Sequence, residues 1–350
     1  MTRRSSEDYA VRALFTTPKD TAVATWRDVP EPVLQSDTDA LVRPRAVALC
    51  DLDRSILARR SPFPGEFMLG HEFTGDVVAV GEGVRHLAPG DRVLASFQPS
   101  CGTCPRCQRQ HTSVCASVGN GAMYGIGPAG GDWGGALADL IRVPWADANL
   151  FPLAAAIDPF AIASAADNLA DGLRGIEGPL ARRPGARVLV AGSGSIPLYA
   201  VACAQFLGAS EIRVASADPF VLETAAALGA DCLPIERWPK RFKSHDVTVD
   251  CTNDVDGLAA VIRSTEPYGE CTSSSIFFGR PISVPMFEMN MRGISFHTGR
   301  VNSAADVPRV LALIEQGLDV GAINPCHGSF EAVTELAAAE PYSRKVIVEH

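Results

Sequence analysis

Apolar runs alternate with short polar and glycine-bearing breaks through the second half of the chain. An apolar run begins at Arg187, ends at the turn Gly192-Ser-Gly194, and is followed by a longer apolar stretch that reaches Gly208. Further strand-like runs occur at 212–215, 246–251 and 270–278. The regular succession of strand-like and helix-like runs predicts an α/β fold with a doubly wound parallel sheet.

The glycine turn after the first of these strands points to a ligand. A strand, a Gly-x-Gly turn and a helix together present main-chain N–H groups and a helix N-terminus to a pyrophosphate. A glycine pair alone is weak evidence, but its place inside a repeating β/α pattern strengthens it. The sequence therefore predicts a dinucleotide site formed by Gly192, Ser193, Gly194, Ser195 and Ile196.

Four cysteines fall within one short polar segment, at Cys101, Cys104, Cys107 and Cys115. Two-residue spacers let three thiolates converge from one loop, and the longer spacer brings the fourth back to complete a tetrahedron. The alternatives are disulfides or unrelated core cysteines. Nothing else in the chain looks secreted, however, and core cysteines do not occur at this density in a polar, glycine-bearing loop. We expect a structural zinc site, which holds a loop and does no chemistry.

A second set of candidate metal ligands lies outside that loop. Cys50 and the pair His71-Glu72 stand at the ends of apolar stretches, and Asp167 begins an alanine-rich, helix-like stretch. One thiolate, one imidazole and one carboxylate leave a fourth position for water or substrate, as a catalytic zinc requires. By spacing alone this set is weak, because a lone cysteine or histidine is commonly an ordinary core residue.

Composition narrows the class of protein. A chain of 350 residues is too long for one ordinary core and suits two domains. No apolar run approaches the roughly 20 residues of a membrane span, and the first residues lack the apolar stretch of a signal peptide. The net charge of −9, without a basic stripe, argues against nucleic acid. Ten cysteines favour a reducing compartment, so we expect a cytoplasmic protein with neither nucleic acid nor membrane as partner.

Taken together, these features resemble the zinc-dependent alcohol dehydrogenases of the medium-chain dehydrogenase/reductase superfamily. The resemblance covers nearly the whole chain and is carried by Gly70-His-Glu-Phe-Thr-Gly75, Gly81-Glu-Gly-Val84, Pro89-Gly-Asp-Arg-Val93, the four-cysteine loop, Gly134-Gly-Ala136 and the Gly192 turn. It implies a GroES-like, β-rich catalytic domain at 1–168, completed by 298–350, and a Rossmann dinucleotide-binding domain at 169–297. It also implies a small-molecule alcohol or carbonyl substrate, and a homodimer or homotetramer.

The resemblance further implies roles for individual residues. Cys50, His71 and Asp167 would ligate the catalytic zinc, with Glu72 as an alternating or supporting ligand. Asp53 would accept the second ring N–H of His71. Such a site polarises an alcohol or carbonyl oxygen, so that hydride passes to or from a nicotinamide cofactor, NAD or NADP.

One departure from the family pattern concerns the proton. Leu52 stands where most members carry a serine or threonine that hands the substrate proton outward, so the proton must leave by another route. Ser55, at a position where some members keep a relay histidine, and zinc-bound water with Glu72 are two such routes. Alternatively, Leu52 only enlarges the apolar wall of the pocket for a substrate that needs no hydroxyl relay.

Other departures concern the cofactor. Ser216 stands where NAD-preferring members carry an acid that binds the adenosine ribose. Because serine is uncharged, it does not repel a 2′-phosphate, and this favours NADP. Asp218, in a place where an NADP-binding arginine would be expected, leaves the preference open. Pro197 replaces the last glycine of the turn, and Asp51 adds a negative charge near the pyrophosphate. Arg344 occupies a position that contacts the pyrophosphate in some relatives.

From the sequence we predict a zinc-dependent NAD(P)(H) alcohol dehydrogenase or carbonyl reductase. One alternative keeps zinc and NADPH but reduces an iminium or an activated alkene, which Leu52 permits because that hydride addition needs no alkoxide relay. Another alternative is a redox-inactive, zinc-stabilised binding protein, which Pro197, Ser216 and Asp51 together would explain.

Overall fold

The computed structural model describes residues 10–16, 24–60, 63–279, 281–323, 326–341 and 343–350. The first nine residues of the predicted catalytic domain thus lie outside the described residues. Within the described ranges, no helix is both long enough and apolar enough to cross a membrane.

The strands of the described residues, in chain order, are β1 (Ala10–Thr16), β2 (Ala24–Pro30), β3 (Ala40–Leu49), β4 (Glu72–Val80), β5 (Arg92–Ala95), β6 (Ile141–Val143), β7 (Leu150–Pro152), β8 (Arg187–Gly192), β9 (Glu211–Ser216), β10 (Asp231–Pro234), β11 (His245–Cys251), β12 (Thr265–Ser273), β13 (Ser295–Thr298), β14 (Cys326–Ser329) and β15 (Val346–Glu349). They form an antiparallel hairpin of β1 and β2 and two larger sheets.

The first large sheet is mostly antiparallel and draws strands from both ends of the chain. Its order is β14-β15-β3-β4-β5-β7, with β6 beside β3. The register of the C-terminal strand pairs Val346 of β15 with Leu49 of β3. Because Lys345 and Cys50 adjoin these two residues, the pairing brings the end of the chain to the first candidate metal ligand.

The second large sheet is parallel throughout, in the order β10-β9-β8-β11-β12-β13. Its central strand β8 is buried on both faces. Val188 and Val190 belong to one hydrophobic core, whereas Leu189 and Ala191 belong to another. A strand whose alternate side chains enter two cores needs helices on both faces. The predicted α/β fold with a doubly wound parallel sheet is therefore confirmed.

The helices, in chain order, are α1 (Asp51–Leu57), α2 (Pro105–Gln108), α3 (Ala146–Asn149), α4 (Ala170–Arg174), α5 (Glu177–Arg182), α6 (Ser195–Phe206), α7 (Pro219–Ala227), α8 (Val255–Arg263), α9 (Met286–Arg292), α10 (Ser303–Glu315) and α11 (Val333–Ala338). Two aspartates start the helices of the parallel sheet: Asp218 accepts from Phe220 N at 2.9 Å and Asp254 accepts from Gly257 N at 2.9 Å. Each cap contributes about 1 kcal/mol.

One predicted strand is displaced. The run expected to be extended over 270–278 is β12, which begins at Thr265 and ends at Ser273. The apolar residues Ile276 and Phe278 leave the sheet and are 61% and 54% exposed. The apolar residues continue in the sequence beyond the last paired residue of the strand. Hydrophobic periodicity alone therefore does not predict where the strand ends.

Candidate functional site

The four-cysteine segment closes into one compact cluster. The sulfur atoms of Cys101, Cys104, Cys107 and Cys115 all lie within 4.8 Å of one another. Cys104 precedes α2, which starts at Pro105, a residue suited to the first helical position. Main-chain N–H groups face the sulfurs: Cys101 N lies 3.3 Å from Cys115 Sγ, and Cys104 N lies 3.3 Å from Cys101 Sγ.

The hydrogen bonds to Cys101 favour its thiolate, the form that binds metal. Burial alone would raise the pKa of Cys101, but hydrogen bonds from Ser117 and from the main chain at Thr103 and Cys104 lower that pKa to about 5. No disulfide joins the cysteines of the described residues. Four converging sulfurs with N–H donors around them fit a tetrahedral zinc ion.

Cys50 lies at the junction of β3 and α1, outside the four-cysteine loop. It is the residue before α1, and its N–H donates to Asp53 Oδ2 at 3.0 Å. The other oxygen of Asp53, Oδ1, faces His71 Nδ1 at 3.4 Å. Both of these atoms are buried, and neither has a hydrogen-bond partner elsewhere in the described residues. Asp53 is thus placed to set the orientation of the His71 ring.

His71 is positioned by the glycine before it. Gly70 has a φ of +91°, and a Cβ there would lie 2.8 Å from Leu137 N, so a larger residue does not fit. The chain then enters β4 with the His71 ring buried against Phe97, at a centroid distance of 5.8 Å. Its Nε2 lies 3.3 Å from Asp167 Oδ2.

Asp167 comes from a different part of the chain. It lies in a single π-helical turn, Ala165–Leu169, directly before α4, and such turns are frequent at functional sites. Its side chain is 18% exposed, whereas the His71 side chain is 1% exposed. The ligand atoms of Cys50, His71, Glu72 and Asp167 all lie within 4.8 Å of one another. A thiol, an imidazole and carboxylates in this arrangement fit zinc, with Asp167 on the accessible side.

Glu72 is held by partners that the sequence analysis missed. Lys345 Nζ lies 2.7 and 3.0 Å from the two Glu72 carboxylate oxygens and 3.1 Å from Asn168 Oδ1, and Ser164 Oγ donates to the same carboxylate. Burial alone would lower the pKa of Lys345, but Glu72 holds that pKa above its ordinary value. Removing one member of such a buried pair costs about 3–5 kcal/mol. The pair spans 273 residues of sequence, so no local motif announces it.

The predicted dinucleotide turn has a backbone that only glycine accommodates. Gly192 has a φ of +135°, and a Cβ there would lie 2.1 Å from Cys251 O. Gly194 has a φ of +91° and precedes α6. Pro197 is the third residue of α6, within the first turn, where main-chain N–H groups lack helical partners. The substitution of the last glycine therefore leaves the turn and the helix start intact.

Asp51 joins the turn to the metal cluster. It follows Cys50, and a Cβ on Gly194 would lie 2.2 Å from its Oδ2. Burial raises the pKa of Asp51 above its ordinary value, while Lys345 and Arg54 oppose that rise. The structure thus places this carboxylate against Gly194, the residue before α6.

The last residues before β15 also reach the turn. Ser343 Oγ accepts from Gly194 N at 3.1 Å and donates to the Asp218 carboxylate. Arg344 directs its guanidinium over the Phe220 ring, at 5.7 Å. The buried Arg54 of α1 fixes this segment by donating to Ala337 O at 2.9 Å and to Arg344 O at 3.0 Å. Ser343 and Arg54 carried no sequence signal, because their partners are distant in the chain.

The remaining predicted site residues have the following places. Ser216 is buried at the end of β9, with its Oγ 3.3 Å from Ser193 Oγ, and it accepts from Asp218 N at 3.1 Å. Ser195 Oγ is buried without a hydrogen-bond partner in the described part of the chain. Ile196 lies half-buried in α6, and Leu52 and Ser55 lie half-buried in α1. Leu52 packs against the core that contains Val188 and also against the core of the antiparallel sheet, which contains Leu49.

Known proteins resemble this chain in sequence and in fold. A family model described as the alcohol dehydrogenase GroES-like domain matches residues 36–154. A glutathione-independent formaldehyde dehydrogenase of Pseudomonas aeruginosa is 31% identical over 252 residues, 67% of this chain and 63% of that protein. The chain thus matches less than two thirds of that relative's length.

Two further relatives are matched over more of their length. A probable zinc-binding alcohol dehydrogenase of Mycobacterium tuberculosis is 27% identical over 304 residues, 84% of this chain and 76% of that protein. The solved structure of an alcohol dehydrogenase from Thermus sp. ATN1 superimposes with a TM-score of 0.87 at 29% identity, covering 97% of this chain and 99% of that one.

Proposed function

This chain belongs to the zinc-dependent alcohol dehydrogenase family of the medium-chain dehydrogenase/reductase superfamily, and from that premise we propose that it transfers hydride between a nicotinamide cofactor and an alcohol or carbonyl substrate. The family and the two clusters of metal-binding side chains support zinc as a cofactor, and the glycine turn before α6 supports NAD(P). One observation carries the proposal. Asp51 directly follows the candidate ligand Cys50, and its carboxylate lies against Gly194 of the dinucleotide turn.

Zinc held by Cys50, His71 and Asp167 would polarise the substrate oxygen, and NAD(P) would take or give the hydride. Asp53 faces Nδ1 of His71, so the other ring nitrogen, Nε2, points toward Asp167 and is available to bind the metal. Lys345 and Ser164 hold Glu72 as the alternating or supporting ligand.

Residues beside the metal cluster would move the proton and bind the dinucleotide. Leu52 offers no hydroxyl to carry the substrate proton outward, so Ser55 and Glu72 remain the proposed acceptors. The turn from Gly192 to Ile196 would bind the pyrophosphate through main-chain N–H groups.

A panel of alcohols, aldehydes and ketones, assayed with both cofactors by the absorbance of the reduced nicotinamide, tests the proposed function. Cyclic imines and activated alkenes belong in the same panel, because Leu52 is compatible with their reduction. Turnover of an alcohol or carbonyl compound supports the proposal. Turnover of imines or alkenes alone replaces it with the alternative reductase. A zinc-loaded protein that binds neither cofactor contradicts both.

For the cofactor we propose a preference for NADP(H), since Ser216 offers no carboxylate to a ribose 2′-hydroxyl. The change Ser216→Asp should favour NAD(H). We expect it to raise the ratio of the NADP(H) dissociation constant to the NAD(H) dissociation constant by about tenfold, or about 1.4 kcal/mol. Calorimetric titration of both cofactors measures this ratio. Ser216→Asn is the matched control, because it has a similar size without the charge. The assignment of Ser216 to the ribose is wrong if both variants keep the wild-type ratio.

We propose that the protein is a homodimer, or a homotetramer built from such dimers. Strand β13 is an edge of the parallel sheet and leaves its outer main-chain groups available for pairing. Near this edge, α9 exposes Met286, Phe287 and Met291 at 63%, 77% and 68%. Apolar side chains at such exposure are typical of a contact surface. Sedimentation velocity tests the proposal, and a monomeric wild-type protein contradicts it.

The division of the chain and its compartment also remain proposals. We propose a catalytic domain of residues 1–168 with 298–350, and a dinucleotide domain of residues 169–297. The pairing of β15 with β3, and the end of β13 at Thr298, support these boundaries. We propose a cytoplasmic location, since all ten cysteines are free.

A further inference from the structure

Arg300 belongs to a segment that is tied to the turn bearing Asp167. It follows β13 by two residues, at the carboxyl ends of the parallel strands, where open α/β sheets bind ligands. The segment that carries it is fixed: Ser303 Oγ donates to Ala166 O at 2.7 Å. Ala166 precedes Asp167, so this hydrogen bond ties the Arg300 segment to the turn that bears a candidate zinc ligand.

The guanidinium itself contacts a residue close to the cluster that contains this ligand. Arg300 Nη2 lies 3.5 Å from Met123 Sδ. The next residue, Tyr124, donates its N–H to Phe97 O at 3.2 Å, and the Phe97 ring packs beside His71. A short chain of contacts thus connects the Arg300 side chain to the metal-binding histidine.

Arg300 has no acid beside it among the described residues, unlike several other arginines of this protein. Arg142, Arg174 and Arg187 each lie close to a carboxylate. Among the described residues, no acid lies within 4.0 Å of Arg300, and its hydrogen-bond acceptor is a thioether, which accepts weakly. Desolvation lowers the pKa of Arg300, and the negative charge of Asp167 opposes this shift.

A cation that pairs with no carboxylate can take its counter-ion from a ligand. The residue is exposed on its open side, so a ligand can reach it. A guanidinium binds the two oxygens of a carboxylate or phosphate through parallel hydrogen bonds. We propose that Arg300 binds an oxyanion carried by the substrate, so that the preferred substrates are alcohols or carbonyl compounds bearing a carboxylate or a phosphate. This rests on the proposed function of the same site.

Paired substrates test the proposal. The kcat/KM of short ω-hydroxycarboxylates is compared with that of 1-alkanols of equal length, and the kcat/KM of glycerol 3-phosphate with that of glycerol. We expect wild type to favour one anionic series by about tenfold or more, and Arg300→Gln to abolish that preference while its rates on neutral substrates stay within about threefold. The anionic series that is favoured distinguishes carboxylate from phosphate.

Two control variants sharpen the comparison. Arg300→Lys should keep part of the preference, because the charge remains while the fork of donors is lost. Arg309→Gln removes an exposed arginine of α10 that pairs with Glu177, and it should behave as wild type. The proposal is overturned if wild type shows no anionic preference, or if the preference survives in Arg300→Gln.

A binding measurement separates this proposal from the proposed function. If no substrate is turned over with either cofactor, the function fails, and calorimetry with succinate and glycerol 3-phosphate on the zinc-loaded protein still tests Arg300. Binding that weakens by about tenfold in Arg300→Gln, and not in Arg309→Gln, supports the oxyanion site. Absent binding, or equal binding in both variants, overturns it. A loss of cofactor affinity with unchanged anion binding also overturns it, since Arg300 would then serve the dinucleotide.

Discussion

Replacing Cys50 with serine should lower kcat/KM by at least about 10³-fold, because removing a Lewis acid costs several kcal/mol of transition-state stabilisation. A hydroxyl is a poor zinc ligand, and the remaining groups of the cluster, His71, Glu72 and Asp167, would bind the ion more weakly. We therefore expect the zinc content to fall from about two ions per chain to about one. Elemental analysis of the purified variant, together with turnover measurements, provides the check.

A matched cysteine keeps this experiment specific. Cys326 is half-buried in β14 and lies outside both clusters, so Cys326→Ser should keep the zinc content and the activity of wild type. The Cys50 variant should also keep its thermal unfolding midpoint within a few degrees, because the neighbours of its ligands, Leu49, Phe73 and Ala166, are buried in hydrophobic cores. Full zinc content or undiminished turnover in Cys50→Ser would show that the cluster is not the catalytic metal site.

Some features could be predicted from the sequence because their chemistry is local. The four cysteines lie in one short loop, and their spacing alone predicts a cluster whose sulfurs do converge. The Gly192 turn likewise follows from the succession of one strand, two glycines and one helix, and its backbone has the positive φ values that glycine permits.

The other cluster depends on tertiary structure. Cys50 and His71 approach because β3 pairs with β4, and Asp167 arrives on a π-helical turn that no periodicity reveals. Spacing therefore gave only a weak signal for these three candidates, and the resemblance to a family was what implied their roles as ligands. Lys345 and Ser343 were missed entirely, because the pairing of β15 with β3 is what carries them to Glu72 and to Gly194.

The four-cysteine loop depends on its ligands for stability more than other parts of the protein do. The buried residues of its small core are Cys101, Cys107 and Cys115, and among the described residues the apolar side chains that pack against them are those of Cys104, Val118 and Trp145. Such a cluster has too little apolar surface to order a loop by burial alone. Metal ligation then supplies the folding free energy of the segment.

We therefore expect Cys107→Ser to lower the free energy of unfolding by several kcal/mol, and the thermal midpoint by about 5 °C or more. The effect should spread beyond the loop, because Ser113 Oγ donates to Asn302 Oδ1 at 2.9 Å, next to the start of α10. Scanning calorimetry of Cys107→Ser beside Cys50→Ser gives the decisive contrast. Cys107→Ser should lose stability, with its remaining zinc in the catalytic cluster, whereas Cys50→Ser should lose turnover and keep its midpoint. An unchanged midpoint in Cys107→Ser would mean that the loop holds its conformation without metal, and that the four thiols serve some purpose other than structure.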